Sequence, residues 1–295
     1  MDTRSQRNGV EPLISVVIPA YNRARTIGAC LQSVRGQTHQ DWEAIVVDDG
    51  STDGTSQLVE RLAHNDDRIR LIRHDRNRGA QAARNTGIRA ATRGWVAFLD
   101  SDDQLLPTSI ELRLQAAVDA EVSVVHSACL VIKDGVTEPY GVPPLRGPVY
   151  TRLLEGEGPV FPTFLVRKDA LQRIGYLDER ILSFQEWETA IRLAKHYEFA
   201  FVAEPTFVYD CRGSDTISKD LRRAGRGYEQ VFHKHCLAIL RHAGPGTFAR
   251  HYQIAAEWYQ RAGYQRGVRR CRRMALLWTS LDRQWGRLKF LAART

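Results

Sequence analysis

Residues 95–103 read Trp-Val-Ala-Phe-Leu-Asp-Ser-Asp-Asp, an apolar run that stops at a cluster of acidic and hydroxyl residues. A buried strand of this kind ends in a loop at the carboxyl edge of a sheet, where open α/β folds bind their ligands. Three carboxylates within four residues repel one another unless a positive charge lies between them. Mg²⁺ prefers one or two carboxylates together with phosphate oxygens, so the cluster indicates a nucleotide-phosphate and metal site. The alternative is an acidic turn or a helix N-cap, which also favours Asp and Ser.

A second apolar run, residues 42–47, also stops at an acidic turn, Asp48-Asp49-Gly50-Ser51. Both runs belong to a regular alternation of strand and helix patterns, which is typical of a mostly parallel sheet with helices on both faces. Strands are predicted at 13–20, 42–47, 68–73 and 95–99, and helices at 27–34, 58–62 and 80–92. Because crossovers between parallel strands are right-handed, the two acidic turns are expected at the same edge of one sheet. Their coincidence favours a site over a cap.

The pattern is looser after Pro107. We expect helices at 109–120 and 185–196, and strands at 122–131, 161–166 and 199–209. The Gly- and Pro-rich residues 135–162 are expected to form a loop over the site, or a connection with little regular structure. From residue 221 the pattern is mainly helical, with a break at Gly244-Pro245-Gly246.

The composition is that of an ordinary soluble globular protein, with 43% hydrophobic and 26% charged residues. No stretch approaches the ~18 uninterrupted apolar residues of a membrane span. The first eleven residues lack the apolar core of a secretory signal. The five cysteines are scattered and no pair has metal-ligand spacing, so we expect a reduced, cytoplasmic setting.

The net charge of +8 is concentrated in the C-terminal tail, residues 241–295, which holds eleven Arg and one Lys against two acidic residues. This tail also carries aromatic and leucine residues, a mixture that suits an anionic membrane surface. The protein would then lie peripherally on the inner face of the membrane. The alternatives are a basic outer face over the α/β domain, or the pairing of two chains in a homodimer. Nucleic acid is not expected as a partner, because the acidic strand ends would oppose it.

Four short motifs follow one another along the first part of the chain. They are Ile14–Asn22 (ISVVIPAYN), Val47–Gly54 (VDDGSTDG), Asn77–Gly79 (NRG) followed by Ala83–Gly87 (ARNTG), and Phe98–Asp103 (FLDSDD). In this order they resemble family 2 glycosyltransferases, and the resemblance runs from about residue 13 to about residue 212. It implies an α/β fold of the GT-A type: a mostly parallel, Rossmann-like sheet flanked by helices, here with a helical C-terminal extension. It also implies a nucleotide-sugar donor, a divalent Mn²⁺ or Mg²⁺ ion, and inverting transfer of a sugar to an acceptor.

On this resemblance we expect three parts. They are a disordered lead-in at 1–12, a GT-A domain at 13–220 and a basic helical region at 221–295. Within the GT-A domain, the nucleotide-sugar half is expected at about 13–106 and the acceptor half at about 107–220.

The implied activity is the transfer of a sugar, with a UDP-sugar as the first choice of donor, to a hydroxyl of a saccharide or lipid-linked acceptor. The implied setting is bacterial cell-surface polysaccharide or glycoconjugate synthesis. A nucleotidyltransferase is one alternative, although the Gly-rich phosphate loop of that class does not follow Ile18. A catalytically inactive sugar-nucleotide-binding module is the other.

In such enzymes the ends of the first two strands hold the nucleoside. By resemblance Pro19, Ala20 and Tyr21 line the base, with the Tyr21 ring available for stacking. The alternative for Tyr21 is a half-buried core aromatic. Asp49 is expected to accept a hydrogen bond from a uracil-type ring nitrogen, and Asp48 to support the turn.

Two further nucleotide-binding residues, Arg84 and Asn85, lie in the helix predicted after Gly79. By resemblance they help to hold the nucleotide, and the planar guanidinium fork of Arg suits a diphosphate. A solvated helix face is the alternative for Arg84.

The acidic cluster after the fourth strand supplies the metal ligands that the resemblance implies. Asp102 ligates the ion, Asp100 contacts the ribose or the metal, and Asp103 completes the shell or caps the following turn. The ion would stabilise the negative charge that builds on the departing nucleoside diphosphate.

The family carries its catalytic base as an Asp that follows Glu or Gln at the start of a helix. Here the pair is Gln185-Glu186, so Glu186 lies at the catalytic position and is longer by one methylene. By resemblance Glu186 is the general base; the alternative is an ordinary acid favoured by the helix dipole. Glu188 lies two residues on and cannot share its helix face, so it is expected to be structural or to contact a second site.

Overall fold

The computed structural model of the protein describes residues 13–133, 135–156, 158–210 and 220–292. The predicted lead-in, residues 1–12, lies outside the described residues, and so does Cys211. The chain forms two compact units that alternate along the sequence. Within the described residues, the first comprises residues up to 144 together with 161–176 and 200–210, and the second comprises residues 145–160, 177–199 and 220–292.

The first unit is built on four parallel strands. β1 (Ile14–Ala20), β2 (Trp42–Asp48), β3 (Ile69–Arg73) and β4 (Trp95–Phe98) alternate with α1 (Ile27–Arg35), α2 (Thr55–His64) and α3 (Ala80–Ala90). Their order in the sheet is β3-β2-β1-β4, and every neighbouring pair is parallel. All residues of β1 and β2 are buried, as expected for parallel strands covered on both faces. The predicted α/β alternation is confirmed for these elements.

Close packing of α3 on β1 depends on a residue without a side chain. Gly87 is buried in α3, and a Cβ added there would overlap the side chain of Val17 in β1. Arg84 and Asn85, about one turn earlier in α3, are buried as well. The short distance between helix and sheet therefore brings these polar residues towards the strand ends.

The sheet continues with antiparallel pairs. Its further elements are β5 (Gln104–Leu105), α4 (Ser109–Asp119), β6 (Val124–Lys133), β7 (Val136–Tyr140), a 3₁₀ helix (Phe161–Thr163), β8 (Leu165–Arg167), α6 (Lys168–Arg173) and β9 (Phe199–Asp210). β8 pairs antiparallel with both β4 and β6. The expectation of little regular structure at 135–162 is wrong, because β7 pairs with β6 along its whole length. The strand predicted at 161–166 begins instead as the 3₁₀ helix.

Arg113 holds the 3₁₀ helix in place from inside the first unit. Its side chain is fully buried, and Nη1 donates to the carbonyl oxygens of Pro162 and Phe164 at 3.1 and 3.0 Å. Nε and Nη2 donate to the carbonyl and hydroxyl oxygens of Ser109. Burial lowers the pKa of Arg113 to about 9. These hydrogen bonds fix the position of Phe161, which belongs to the site described below.

The second unit is helical. It contains α5 (Tyr150–Glu155), α7 (Gln185–Ala194), α8 (Leu221–Lys234), α9 (Cys236–His242), α10 (Gly244–Arg261) and α11 (Gln265–Ala292). Its core is aromatic: the rings of Trp187 and Tyr228 stack at 5.0 Å, and those of Phe232 and His251 at 5.4 Å. The break predicted at Gly244-Pro245-Gly246 lies one residue earlier, at Ala243 between α9 and α10, and these three residues form the first turn of α10, where Pro is tolerated. Within the described residues, no helix combines the length and the apolar character needed to cross a bilayer.

Candidate active site at the strand ends

The carboxyl ends of β1, β2 and β4 lie side by side. Ala20 pairs with Asp48 in β2, and Val17 pairs with Phe98 in β4. Hydrogen bonds extend the pairing past the strands: Asp49 N donates to the Ala20 carbonyl at 2.8 Å and Leu99 N to the Val17 carbonyl at 3.1 Å. The loops that follow these strands therefore meet at one edge of the sheet, as the sequence predicts.

Asp48 braces the turn after β2. Its carboxylate accepts hydrogen bonds from Ser51 N at 2.9 Å and from the hydroxyl of Ser56. The loop after β1 is tied to the same turn, because Asn22 N donates to Ser51 Oγ at 2.8 Å. Asp48 is fully buried, so its contacts are those of a residue that supports the turn.

Asp49 is held by the segment that links β3 to α3. Oδ1 accepts a hydrogen bond from Arg78 N at 2.9 Å, and Oδ2 accepts one from Gly79 N at 2.7 Å. His74 Nδ1 lies 2.7 Å from Oδ1, and His74 Nε2 lies 3.0 Å from the Thr86 hydroxyl. His74 therefore bridges Asp49 and Thr86 through its two ring nitrogens. A carboxylate can accept about four hydrogen bonds, so Asp49 keeps acceptor capacity for a ligand.

Tyr21 is the exposed member of the predicted base-binding set. Pro19 and Ala20 are buried as the last residues of β1, whereas Tyr21 is 43% exposed. This exposure favours the base-stacking prediction over the alternative of a core aromatic. The Tyr21 ring is available to stack on a planar ligand.

Arg84 reaches from α3 to the loop after β4. Nη2 lies 2.5 Å from Asp100 Oδ1, Nη1 donates to Gln81 Oε1 at 2.8 Å, and the guanidinium carbon lies 4.4 Å from the Phe161 ring centroid. The residue is buried, so the alternative of a solvated helix face is wrong. Its Nε is buried without a hydrogen-bond partner in the described part of the chain. Asn85, beside it in α3, is also buried.

The three aspartates after β4 have different surroundings. Asp100 pairs with Arg84, and Asp103 is buried with its backbone N–H donated to the Asp100 carbonyl at 3.0 Å. Asp102 keeps 28% of its side chain exposed, and its ion pair with Arg23 is long, at 3.6 Å. Burial raises the pKa of Asp102, and the negative charge of Asp100 raises it further. Because β5 follows the cluster, the segment is a turn between strands and not a helix N-cap.

This donor set suits a cation whose shell is completed by phosphate. Among the residues that the structure describes, no group of three or more His, Cys, Asp or Glu side chains could hold a metal ion. A site for Mg²⁺ needs only one or two carboxylates when phosphate oxygens supply the rest. The pKa of Asp102 is raised first by burial and then by the negative charge of Asp100, and Arg23 and Arg84 offset these effects only in part. Asp102 and Asp100 therefore fit a divalent ion that binds together with a nucleotide, and buried Asp103 fits it less well.

A cavity of about 530 Å³ opens beside the ends of β2 and β3. Its volume lies in the range of small-molecule sites. It is lined by Asp48, Gly50, Ser51, Thr52, Arg73, His74 and Asp75.

The predicted base and its neighbour lie in the second unit, at the start of α7. Glu186 is half-buried in the first turn, and Glu188 is buried. Arg192 Nε lies 2.8 Å and Lys234 Nζ 2.6 Å from Glu188 Oε1, and His235 Nε2 lies 3.5 Å from it. Burial by itself would raise the pKa of Glu188, but these three groups outweigh it and lower the pKa to about 2. Glu188 is thus bound into the protein, in line with the structural role expected for it.

Three residues around the first unit's site do not stand out in the sequence. His74 follows β3 as Asp49 follows β2, so its place at a strand end is a signal that could have found it. Arg23 lies two residues after the first motif's Tyr21 and offers no pattern of its own. Phe161 is far from Arg84 in sequence, and only the folded chain brings the two together.

Residues 15–175, more than half of the chain, match the family described as glycosyl transferase family 2. The chain belongs to this family. Family 2 membership agrees with the four motifs and with the strand-end site.

Curated relatives match about two fifths of this family 2 chain. A putative teichuronic acid biosynthesis glycosyltransferase, TuaG of Bacillus subtilis, is 41% identical over 105 residues, which cover 36% of this chain and 42% of the relative. WfgD of Escherichia coli, named UDP-Glc:alpha-D-GlcNAc-diphosphoundecaprenol beta-1,3-glucosyltransferase, is 35% identical over 122 residues, covering 41% of this chain and 47% of the relative. The match thus spans less than half the length of each relative.

Solved structures of GT-A glycosyltransferases share the fold. TarS of S. aureus, solved with UDP-GlcNAc, aligns with a TM-score of 0.63 at 17% identity over 88% of this chain and 90% of that chain. The mannosyltransferase PcManGT of Pyrobaculum calidifontis, solved with GDP-Man and Mn²⁺, aligns with a TM-score of 0.61 at 20% identity. The alignment covers 93% of this chain and 88% of that chain. The predicted GT-A fold is confirmed.

Proposed function

We propose that the protein is an inverting, metal-dependent glycosyltransferase that uses a nucleoside-diphosphate sugar, with uridine as the base. One observation carries the proposal: one edge of the sheet brings together an aromatic ring, carboxylates and a guanidinium group. Tyr21 follows β1, Asp100 and Asp102 follow the neighbouring strand β4, and Arg84 reaches Asp100 from α3. The exposed ring of Tyr21 is suited to a base, and the buried guanidinium of Arg84 is suited to a diphosphate. The carboxylate of Asp102, whose ion pair with Arg23 is long, is suited to a metal ion. Family 2 membership and the nucleotide-sugar complexes of TarS and PcManGT support it.

We infer that the base stacks on Tyr21 and donates a ring N–H to Asp49. Stacking of a base on an aromatic side chain contributes about 1–3 kcal/mol. Pro19 and Ala20 would form the wall beside the ring, and Asp48 would support the turn that carries Asp49.

The diphosphate would lie against α3 and the loop after β4. The buried Nε of Arg84 is a donor available for a phosphate oxygen, and Asn85 lies beside it. Asp102 and Asp100, with Asp103 as a further candidate, would hold a divalent ion such as Mn²⁺ or Mg²⁺. When bound, such an ion stabilises negative charge on the departing nucleoside diphosphate.

Glu186 is the proposed general base. The oxygen of the acceptor hydroxyl forms a bond to the anomeric carbon while the bond from that carbon to the diphosphate oxygen breaks. The hydroxyl proton passes to a carboxylate oxygen of Glu186, and the electron pair of the broken bond leaves with the nucleoside diphosphate. Attack on the face opposite the diphosphate inverts the configuration without a covalent intermediate.

We propose that the acceptor is a saccharide carried on a lipid, in cell-surface polysaccharide or glycoconjugate synthesis on the cytoplasmic side of the membrane. The printed names of two relatives support this: one refers to teichuronic acid biosynthesis and the other to a diphosphoundecaprenol acceptor.

The test combines binding with turnover. Thermal unfolding is followed with a panel of nucleotide-sugars, with Mn²⁺ and with a chelator, and release of free nucleoside diphosphate is measured in parallel. We expect a UDP-sugar to raise the unfolding temperature only with the metal. No stabilisation by any nucleotide-sugar would contradict the proposal.

For the base, Glu186→Gln is expected to lower the transfer rate by about 10²–10⁴-fold, because general base catalysis contributes that much. Nucleotide-sugar binding should persist, since the substitution leaves the first unit unchanged. Glu257→Gln, at an exposed helical position of the same unit, is the matched control. Transfer by Glu186→Gln at the wild-type rate would show that another group removes the proton.

A further inference from the structure

One surface of the second unit exposes large apolar side chains that its core leaves uncovered. In the described part of this unit, the exposed large hydrophobic residues are all leucines: Leu237 on α9, and Leu276, Leu277 and Leu281 on α11. Leu276 is 72% exposed and Leu277 is 52% exposed. Scattered single leucines are normal on a surface, but a cluster on one helix marks an interaction site.

α11 presents two different faces. Its inner face is buried through Val268, Cys271 and Ala275, and the Trp278 ring lies 4.7 Å from that of Phe248 in α10. The opposite face is exposed and combines arginines with the leucines, because residues three and four apart share a helix face. Arg269, Arg273, Leu276 and Leu277 follow one another on it, with Leu281 at its border and Arg283 one to two turns further on. We call these six residues the arginine–leucine face.

The arginines of this face carry uncompensated charge. No ion pair joins Arg269, Arg273 or Arg283 to a partner within the residues that the structure describes. The acidic residue of this stretch, Asp282, accepts a hydrogen bond from Gly246 N at 2.8 Å. The face is therefore positively charged as well as apolar.

The face is confined to α11. A groove of about 580 Å³ is lined by Leu237 and Leu240 of α9 together with Asp282 of α11. Asp282 lies one turn after Trp278 and accepts a hydrogen bond from Gly246 N, so this groove lies on the inner side of α11. Leu237 is therefore not counted in the arginine–leucine face, which consists of the six residues of α11 alone.

We propose that the arginine–leucine face docks on an anionic lipid bilayer, with its leucines inserted at the level of the headgroups. Charge decides between the candidate partners: unpaired arginines attract lipid phosphates, and the adjoining leucines gain free energy by leaving water. Long arginine side chains can keep their guanidinium groups at the interface while apolar neighbours insert. The helix would lie in the plane of the membrane, since no described helix is suited to span it.

The test is co-sedimentation of the full chain with vesicles of phosphatidylcholine alone and of phosphatidylcholine mixed with phosphatidylglycerol. We expect binding to the mixed vesicles, weakened by salt because exposed charges are screened. Arg269→Gln with Arg273→Gln should weaken binding by about thirtyfold, from the usual contribution of a basic residue near an anionic surface. Leu276→Gln with Leu277→Gln should weaken vesicle binding by about tenfold or more, because each leucine side chain that leaves water contributes favourable transfer free energy to binding.

Matched controls come from exposed positions of the first unit. Arg61→Gln with Arg173→Gln removes two charges, and Val118→Gln removes an exposed apolar side chain on α4. These variants should bind the mixed vesicles like the wild type. Equal loss in the controls, or wild-type binding by the face variants, would overturn the proposal.

Two further readouts distinguish membrane docking from a defect in catalysis and from dimer formation. Nucleotide-sugar stabilisation with Mn²⁺ should be unchanged in the face variants, so failure of the docking proposal is distinguishable from failure of the proposed function. Molar mass in solution is measured for all variants. If the leucine variants dissociate a dimer and leave vesicle binding intact, the face is an interface between copies of the chain and the proposal is wrong.

Discussion

Two carboxylates, one in each unit, are largely shielded from water, yet the pKa of one is lowered and the pKa of the other is raised. Glu188 at the start of α7 is 1% exposed, and cationic side chains lower its pKa to about 2. Asp102 in the turn after β4 is more exposed, yet its pKa is raised by burial and by Asp100. Burial alone therefore does not distinguish a structural carboxylate such as Glu188 from one that we propose as a metal ligand. The number and distance of the cationic side chains around each carboxylate distinguish the two.

This difference in pKa predicts whether each carboxylate contributes to the stability of the fold or to the binding of a ligand. Glu188 has its partners in the apo protein, so its interactions stabilise the fold. Asp102 has a long ion pair with Arg23 at 3.6 Å and a smaller influence from Arg84, and its pKa is nevertheless raised, so we expect a bound cation to add a favourable interaction. Substitutions at the two positions should accordingly separate stability from ligand binding.

The largest effect is expected for Glu188→Gln. Its folded-state pKa of about 2 lies below the ordinary value of 4.5, so its stabilisation is present above pH 4.5 and is lost as the pH falls towards 2. The difference corresponds to about 3 kcal/mol at neutral pH. The variant should lose this much free energy of unfolding, measured by denaturant titration, because Arg192 and Lys234 keep their charges without a carboxylate.

The pH dependence provides the sharper check of this assignment. Wild type and Glu188→Gln should converge in stability as the pH falls from 4.5 towards 2, while Glu257→Gln should follow the wild type throughout. A constant gap between wild type and variant across that range would mean that the ion pairs are not the source of the effect.

A smaller effect, on binding and not on stability, is expected for Asp102→Asn. The variant should lose at least about tenfold in metal-dependent nucleotide affinity, equivalent to about 1.4 kcal/mol, measured by calorimetric titration of UDP with Mn²⁺. The apo protein should not be destabilised. Because the folded-state pKa of Asp102 is raised, its ionisation opposes folding, and this penalty appears as the pH rises through that pKa.

The matched control for this substitution is Asp67→Asn, at an exposed position of the same unit. It should leave both nucleotide affinity and stability unchanged. A loss of apo stability in Asp102→Asn similar to that of Glu188→Gln would remove the contrast between the two carboxylates.

Much of this contrast could be predicted from sequence, because it depends on strand ends and helix faces. The acidic turns after β2 and β4 follow apolar runs, and parallel strands bring such ends together. The separation of Glu186 from Glu188 by two positions assigned them to different faces, and Glu188 is indeed the buried one.

The partners of these residues were not predictable, since they come from distant parts of the chain. Phe161 packs on Arg84 through a 3₁₀ helix that buried Arg113 holds, and no local pattern marks either contact. Lys234, in α8, is likewise distant from Glu188 in sequence, and only the folded chain brings the two side chains together. The prediction of little regular structure at 135–162 fails because Gly and Pro indicate turns but not the strand and helix between them.

The smallest effect is expected for Arg23→Gln, which removes the cation that contacts Asp102. At 3.6 Å and with both side chains partly exposed, this ion pair should contribute less than about 1 kcal/mol to stability. Its loss should raise the pKa of Asp102 further, because Arg23 lowers it at present. The apparent pH midpoint of Mn²⁺-dependent nucleotide binding should therefore move upwards, as the carboxylate must be ionised to hold the metal. A loss of stability alone does not decide the point, because Arg23 Nη1 also donates to the carbonyl oxygens of Tyr21 and Asn22. An unchanged pH midpoint would show instead that Arg23 does not influence Asp102 in the nucleotide complex, and the reason for assigning Asp102 to the metal ion would disappear.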